Sequence, residues 1–291
     1  MWRSRCAKPW RTTYRHSGLE YNTRETEMNL SLTLNNTGSQ TGGITIKSPQ
    51  ELDAMRRAGQ VVAETVAMLV RSIEQGMRTK DLDTLASQHI ARLGATSNFK
   101  GYRGFPATIC TSINEQIVHG IPGNRVIKDG DIVSMDVGAI VDGYHADSAV
   151  TVGVGTISAE AQQLMETTRT ALEMGIQQAR AGNRIGDISR AVEECAEPFG
   201  YGVVREYTGH GIGRALHEEP SVPNFGERGK GHLLRLGMVI AIEPMLNIGG
   251  WGTRSLADNW TVVTADGSLS AHFEHTVAIM EDGPRVLTAL Q

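Results

Sequence analysis

Residues 130–152 read Gly130-Asp-Ile-Val-Ser-Met-Asp136-Val-Gly-Ala-Ile-Val-Asp-Gly-Tyr144-His-Ala-Asp147-Ser-Ala-Val-Thr-Val152. Two aspartates, Asp136 and Asp147, interrupt runs of strand-forming apolar residues, and Asp142-Gly143 between them is a two-residue hairpin signal. If that turn pairs Val141 with Tyr144, Asp136 falls opposite Ala149 and Asp147 becomes its diagonal neighbour on the same face. Their alpha carbons are then about 7–8 Å apart. Acids on core-type strands are rare unless they are paired or bind metal.

The pattern is written twice. Gly237-Met-Val-Ile-Ala-Ile-Glu243 again places a carboxylate six residues after a glycine, and Glu274 opens the next apolar run, Glu274-His-Thr-Val-Ala-Ile279. Upstream, Gly76-Met-Arg-Thr-Lys-Asp-Leu82 returns as Gly182-Asn-Arg-Ile-Gly-Asp-Ile188, and His-Gly-Ile occurs at His119 and His210. Each half therefore runs helix, Gly-x-Arg-x-x-Asp, helix, His-Gly-Ile, carboxylate strand, carboxylate strand. The separation is 106 residues from Gly76 to Gly182, 107 from Asp136 to Glu243 and 127 from Asp147 to Glu274. The order marks a duplicated unit, and the drift places insertions in its second copy.

Ser48-Pro-Gln-Glu51 predicts a helix start with Ser48 as N-cap, proline at the first position and Glu51 closing a capping box. Leu52, Met55, Val62, Val66, Leu69 and Ile73 follow at helical spacing, with Gly76 ending the helix. A second helix is expected to hold Leu85, Ile90 and Leu93. A third should start near Ser158, and a fourth should run through Val192. Residues 1–43 are expected to be a flexible extension ahead of a folded unit over 44–291, because Asn29 to Gly43 is rich in Asn, Thr, Ser and Gly. Met1 to Gly18 carries Arg3, Arg5, Lys8, Arg11 and Arg15 with no acid, a composition shared by organelle transit segments. An unstructured extension, or an upstream start with Met28 a candidate initiator, is the simpler reading.

The 291 residues are 40% hydrophobic and carry a net charge of −4, which allows a sizeable core and argues against DNA binding through an overall positive field. Three scattered cysteines suggest neither a disulfide framework nor a paired-cysteine zinc site, so a reducing cytosol is expected. No apolar run approaches the roughly 20 residues of a membrane span. Approximate two-fold symmetry would bring Glu243 and Glu274 opposite Asp136 and Asp147. With His210 this makes a mostly oxygen, one-imidazole donor set, suited to a pair of divalent cations such as Mn, Fe(II), Co or Zn.

Seven motifs together resemble the methionine aminopeptidases: Val118-His-Gly-Ile-Pro122, Met135-Asp-Val-Gly138, His145-Ala-Asp-Ser-Ala149, Gly209-His-Gly-Ile-Gly213, Leu216-His-Glu-Glu-Pro220, Ile242-Glu-Pro244 and His272-Phe-Glu-His275. The resemblance runs from about Ile44 to the C-terminus. It implies an α+β, duplicated pita-bread fold, a pseudo-two-fold antiparallel sheet covered by helices. The short stretch between His217 and Glu243 resembles the type I members.

The resemblance also implies a role for each of twelve residues and a class of substrate. Asp136, Asp147, His210, Glu243 and Glu274 match the five ligands of two divalent metals, with Asp147 and Glu274 bridging. His119 and His217 match two histidines that meet substrate, although symmetry alone would make His119 and His210 equivalent. Glu243 would also shuttle a proton, and His217 would steady the oxyanion. Phe99, Tyr102, Phe105, Cys110 and Trp260 match the wall of a pocket for methionine, whose sulfur packs well on ring edges. The expected substrates are nascent polypeptide N-termini bearing initiator methionine and a small second residue. Transient ribosome contact, a cytoplasmic location and a monomeric state are also expected. An Xaa-Pro peptidase of the same fold would normally carry a large extra N-terminal domain, and a non-catalytic relative would have lost ligands.

Overall fold

The computed structural model describes residues 43–290, so the extension expected over 1–43 lies outside them but for Gly43. The first half comprises α1 (Pro49–Ser72), α2 (Thr79–Arg92), β1 (Thr96–Ser97), β2 (Ile109–Ile113), β3 (Gln116–Val118), β4 (Ile132–Val141) and β5 (Tyr144–Gly153). Ser48 caps α1 as expected: its hydroxyl accepts from the Glu51 amide, and the Glu51 carboxylate accepts from the Ser48 amide at 2.8 Å. Met55, Val62 and Leu69 are fully buried on one face of α1. That helix ends at Ser72, before Gly76, and α2 ends at Arg92, so Leu93 is its C-cap.

The second half comprises α3 (Ala159–Gln178), α4 (Ile185–Ala196), β6 (Gly202–Val203), β7 (Gly209–Gly211), β8 (Glu218–Val222), β9 (Val239–Ile242) and β10 (Met245–Asn247). It continues through β11 (Thr253–Ser255), β12 (Val262–Thr264), β13 (Ser270–His272), β14 (His275–Met280) and β15 (Gly283–Val286). Ser158 caps α3, its hydroxyl accepting from the Ala161 amide.

The Gly-x-Arg-x-x-Asp repeat has one structural meaning in both halves. Gly76 and Gly182 adopt φ of +93° and +95°, a region that favours glycine. Asp81 and Asp187, at the third position of α2 and α4, accept from the amides of Arg78 and Arg184 at 2.8 Å. Each glycine amide also ties down the segment before the carboxylate strand, Gly76 to the Ile127 carbonyl at 2.9 Å and Gly182 to that of Leu234 at 3.0 Å. The duplication read from the sequence is thus also a duplication of hydrogen bonds.

Asp142 and Gly143 form the expected hairpin turn, with φ of 50° and 77°, the signs a type I′ turn needs. Val141 pairs with Tyr144, Asp136 with Ala149 and Gly138 with Asp147, the register that puts both aspartates on one face. The other half uses an antiparallel sheet in the order β15-β14-β9-β7-β8. The halves meet along β5 and β14, where the Glu274 amide donates to the Ala149 carbonyl at 2.9 Å and the Ser148 hydroxyl to the Glu274 carbonyl at 2.6 Å. One core lies under α1 and α2 and includes Leu82, Ile109 and Met135; another lies under α3 and α4 and includes Leu164, Ile188 and Ile240. Among the described residues no helix is long and apolar enough to cross a membrane.

Candidate active site

A cavity of about 350 Å³ opens where the two halves meet. Its lining includes all twelve residues singled out from the sequence, from the four acids and three histidines to Phe99, Tyr102, Phe105, Cys110 and Trp260. Asp136 and Asp147 reach it from the β4–β5 hairpin. Glu243 and Glu274 are the next residues beyond the Ile242–His275 pair that ends the β9–β14 ladder, so they face each other across the end of that ladder. His210 comes from β7, which pairs with β9 through Gly211 and Ile240.

Asp147, His210 and Glu274 are buried, and one ligand atom from each lies within 4.8 Å of the others. His210 Nδ1 is 2.9 Å from the Gly211 carbonyl oxygen. That oxygen can only accept, so Nδ1 carries the ring proton and Nε2 presents a free lone pair. Nε2 stands 3.6 Å from Asp147 Oδ2 and 3.7 Å from Glu243 Oε1, too far for hydrogen bonds. Asp136 Oδ1 is buried with no hydrogen-bond partner.

Electrostatics repeat the point. Burial first, then Asp147 and Glu243, pushes the Asp136 carboxyl well above the usual carboxylate range. Burial and the same crowd of acids raise Glu274 likewise. Burial lifts Glu243 to about 8 against the pull of His210, with Asp147 adding to the rise. Asp147 is raised by burial despite His210 and a hydrogen bond from Thr276. Four acids cannot all ionise here without a compensating cation. An orphaned oxygen, a free imidazole lone pair and crowded carboxylates are what a divalent cation would satisfy, so the residues fit one.

The cavity wall depends on the insertion in the second copy. Trp260 sits on the turn between β11 and β12, pinned by Asp258 Oδ1, which accepts from the Trp260 and Thr261 amides at 2.9 and 2.8 Å. Val262 of β12 pairs with Val118 of β3, which brings the indole to His119, the residue after β3, at 6.3 Å between ring centroids. Trp260 also meets Phe105 edge-on at 5.0 Å. His119 has φ of 59°, an unusual conformation for a non-glycine residue and one that recurs at functional sites.

Burial, with His272 next, brings His119 down to about 4; burial, with His210 next, brings His217 down to about 3. Both are therefore neutral near pH 7 and can donate a hydrogen bond without carrying charge. Tyr102 OH lies 2.9 Å from His217 Nδ1. Three residues given no role from sequence also stand here, among them Leu216 of the lining. His272 Nε2 is buried without a hydrogen-bond partner, 3.6 Å from Glu243 Oε2; its i, i+2 spacing from Glu274 was the available signal. Arg103 lines the cavity, at the end of a loop whose conformation no periodicity announces.

Known proteins resemble the chain over most of its length. The profile of metallopeptidase family M24 matches residues 53–281. A methionine aminopeptidase of Clostridium acetobutylicum is 51% identical over 246 residues, covering 84% of this chain and 98% of that protein. Methionine aminopeptidase 1 of Bacillus subtilis is 51% identical over 245 residues, covering 84% and 99%. The crystal structure of the Thermotoga maritima methionine aminopeptidase superposes with a TM-score of 0.83 at 44% identity, over 84% of this chain and 99% of that one. With buried carboxylates, imidazoles and an aromatic wall around one cavity, the chain belongs to metallopeptidase family M24 and, within it, to the methionine aminopeptidases.

Proposed function

We propose that the chain removes the initiator methionine from nascent proteins and peptides whose second residue is small, by hydrolysing the first peptide bond at a two-metal centre. The observation that carries this reading is the convergence of Asp136, Asp147, His210, Glu243 and Glu274 beside an aromatic wall in one cavity. These five residues would hold two divalent ions. When bound, the ions supply Lewis acidity that activates water near neutral pH. Glu243, ionised in the loaded site, takes a proton from the attacking water and returns it to the departing amine.

His217 donates to the oxyanion growing on the scissile carbonyl, and His119 holds the peptide backbone and the leaving nitrogen. Phe99, Tyr102, Phe105, Cys110 and Trp260 enclose the methionine side chain. A cavity of about 350 Å³ that must hold the ions, this side chain and the reacting bond favours a small second residue. The catalytic unit is residues 44–291, with 1–43 an N-terminal extension. A cytoplasmic monomer in transient contact with ribosomes, without specific DNA binding, accords with nascent chains as substrate.

The deciding experiment is release of methionine from Met-Ala-Ser, Met-Lys-Ser, Leu-Ala-Ser and N-blocked Met-Ala-Ser, with Mn, Fe(II), Co or Zn added and chelator as control. Cleavage of Met-Ala-Ser alone, abolished by chelator, is expected. Asp136→Ala and Glu274→Ala should lose both bound metal and activity. His217→Ala should keep metal and lose about 10²-fold or more in turnover. Equal cleavage of the leucine peptide would sink the specificity, and full activity of either acid variant would sink the two-metal site.

A further inference from the structure

We propose that Tyr102 is a positioning residue that sets the tautomer of His217: its phenolic O–H donates to Nδ1, so the ring proton resides on Nε2. This deepens, and rests on, the role given above to His217 at the scissile carbonyl.

The contact is 2.9 Å between Tyr102 OH and His217 Nδ1, with ring centroids 5.3 Å apart and planes 33° from parallel. A phenol is a good donor and a weak acceptor, and a neutral imidazole nitrogen is a good acceptor, so the bond runs from oxygen to nitrogen. A neutral imidazole has one ring proton, and the bond made by one nitrogen decides which nitrogen keeps it. An oxyanion needs a donor, so His217 is useful only in the form protonated at Nε2. A phenylalanine at 102 would serve as pocket wall equally well; the hydroxyl is the atom that needs an explanation.

Both partners are held in place. Tyr102 sits in a tight turn whose amide donates to the Phe99 carbonyl and whose carbonyl accepts from the Phe105 amide, each at 2.9 Å. Gly101, Arg103 and Gly104 all take positive φ, 89°, 47° and 89°, a concentration of left-handed backbone that fixes where the phenol points. Phe105 anchors the turn, 2% exposed against Trp260. The Arg103 guanidinium lies over the Tyr102 ring, 5.4 Å from its centroid, and a cation there strengthens the phenol as a donor. On the other side, Glu218, next to His217, accepts from the Ala215 amide at 3.1 Å and from Lys47 Nζ at 2.9 Å. The backbone under the imidazole is thereby fixed.

The test is Tyr102→Phe in the full chain, loaded with zinc because it is diamagnetic, with ¹⁵N-labelled histidine. The His217 resonances are identified by their loss in His217→Ala. In the native protein the spectrum should show an unprotonated, hydrogen-bonded Nδ1 and a protonated Nε2; in Tyr102→Phe it should move toward a mixture of tautomers. On Met-Ala-Ser, kcat should fall about tenfold, as loss of one neutral hydrogen bond implies, with KM within about twofold and metal content unchanged. A spectrum unmoved by the substitution, or a native Nδ1 that carries the proton, overturns the proposal even if kcat drops. The spectrum is recorded without substrate, so it decides the tautomer independently of whether His217 meets a carbonyl, which the turnover of His217→Ala decides.

Discussion

The Thr276 hydroxyl and Asp147 are joined three ways across the seam between the halves: the Asp147 amide reaches Thr276 Oγ1 at 3.0 Å, and that oxygen lies 2.8 Å from the Asp147 carbonyl and 3.0 Å from its Oδ1. One fully buried side chain of the second half thus fixes both the backbone and the carboxylate of an acid in the first. Thr276→Val keeps the volume and removes the hydroxyl. It strands the buried Asp147 amide, which should cost about 1–3 kcal/mol, and frees the carboxylate, which should weaken metal affinity about 10–100-fold as loss of a partner to a ligand does elsewhere. Denaturant unfolding and metal titration measure the two effects. Unchanged affinity would show that Thr276 serves the seam only.

Gly59 lies inside α1, where alanine would ordinarily gain about 1 kcal/mol of helix propensity. A methyl group there would stand 2.2 Å from the Leu287 carbonyl oxygen, a backbone atom that cannot swing aside. The strand segment it would displace is bonded to β14 through the Leu287 amide and the Thr276 carbonyl at 2.9 Å. Overpacking should outweigh propensity, so Gly59→Ala is expected to lower stability by about 1–3 kcal/mol. A raised Tm would mean that the C-terminal segment yields more easily than its bonding implies.

Apart from the repeat, whose order along the chain pointed to the convergence of the four acids, what could be read from the sequence was local. The Ser48–Glu51 box and the Asp142-Gly143 turn depend on neighbours within a few residues, and they yielded the helix start and the Asp136–Asp147 register directly. Glu243 and Glu274 meet at the end of the β9–β14 ladder, a long-range pairing that the repeat suggested and no local rule supplies. The insertion between them folds into the β11–β12 hairpin, and its pairing with β3 carries Trp260 to His119. The burden on Gly59 was equally hidden, because its neighbour Leu287 is far away in sequence. His272 sat in plain view two residues from Glu274, but only the structure places its bare Nε2 against Glu243.

Asp266 braces the loop next to that insertion. Its carboxylate accepts from the Ser268 hydroxyl at 2.6 Å and from the Gly250 amide at 2.8 Å, and these bonds hold its pKa down to about 2. A carboxyl lowered on folding contributes stability above its unfolded value of about 3.9 and loses that contribution as pH falls through the folded value. Acid unfolding should therefore steepen between about pH 4 and 2, and Asp266→Asn should flatten that window while leaving the pH 6–8 slope alone. Thermal unfolding across this range is the measurement. An identical acid profile in the variant would remove Asp266 from the account.

The cavity acids have the opposite sign. Asp136, Glu243 and Glu274 are raised, Glu243 to about 8. Their favourable contribution to the metal-free protein is present at low pH and lost as pH rises through those folded values. Metal-free protein should therefore lose stability as pH rises from the unfolded carboxyl value of about 4 to about 8. Ligation requires the carboxylates to be ionised, so metal binding must expel protons, roughly one or more per chain at pH 7. Affinity should then weaken as pH falls, and bound metal should abolish the alkaline loss of stability. Calorimetric titration in two buffers of different ionisation enthalpy counts the protons, and Glu243→Gln should reduce the number. Metal binding with no proton release would mean that the acids were already ionised, against the crowding seen in the cavity.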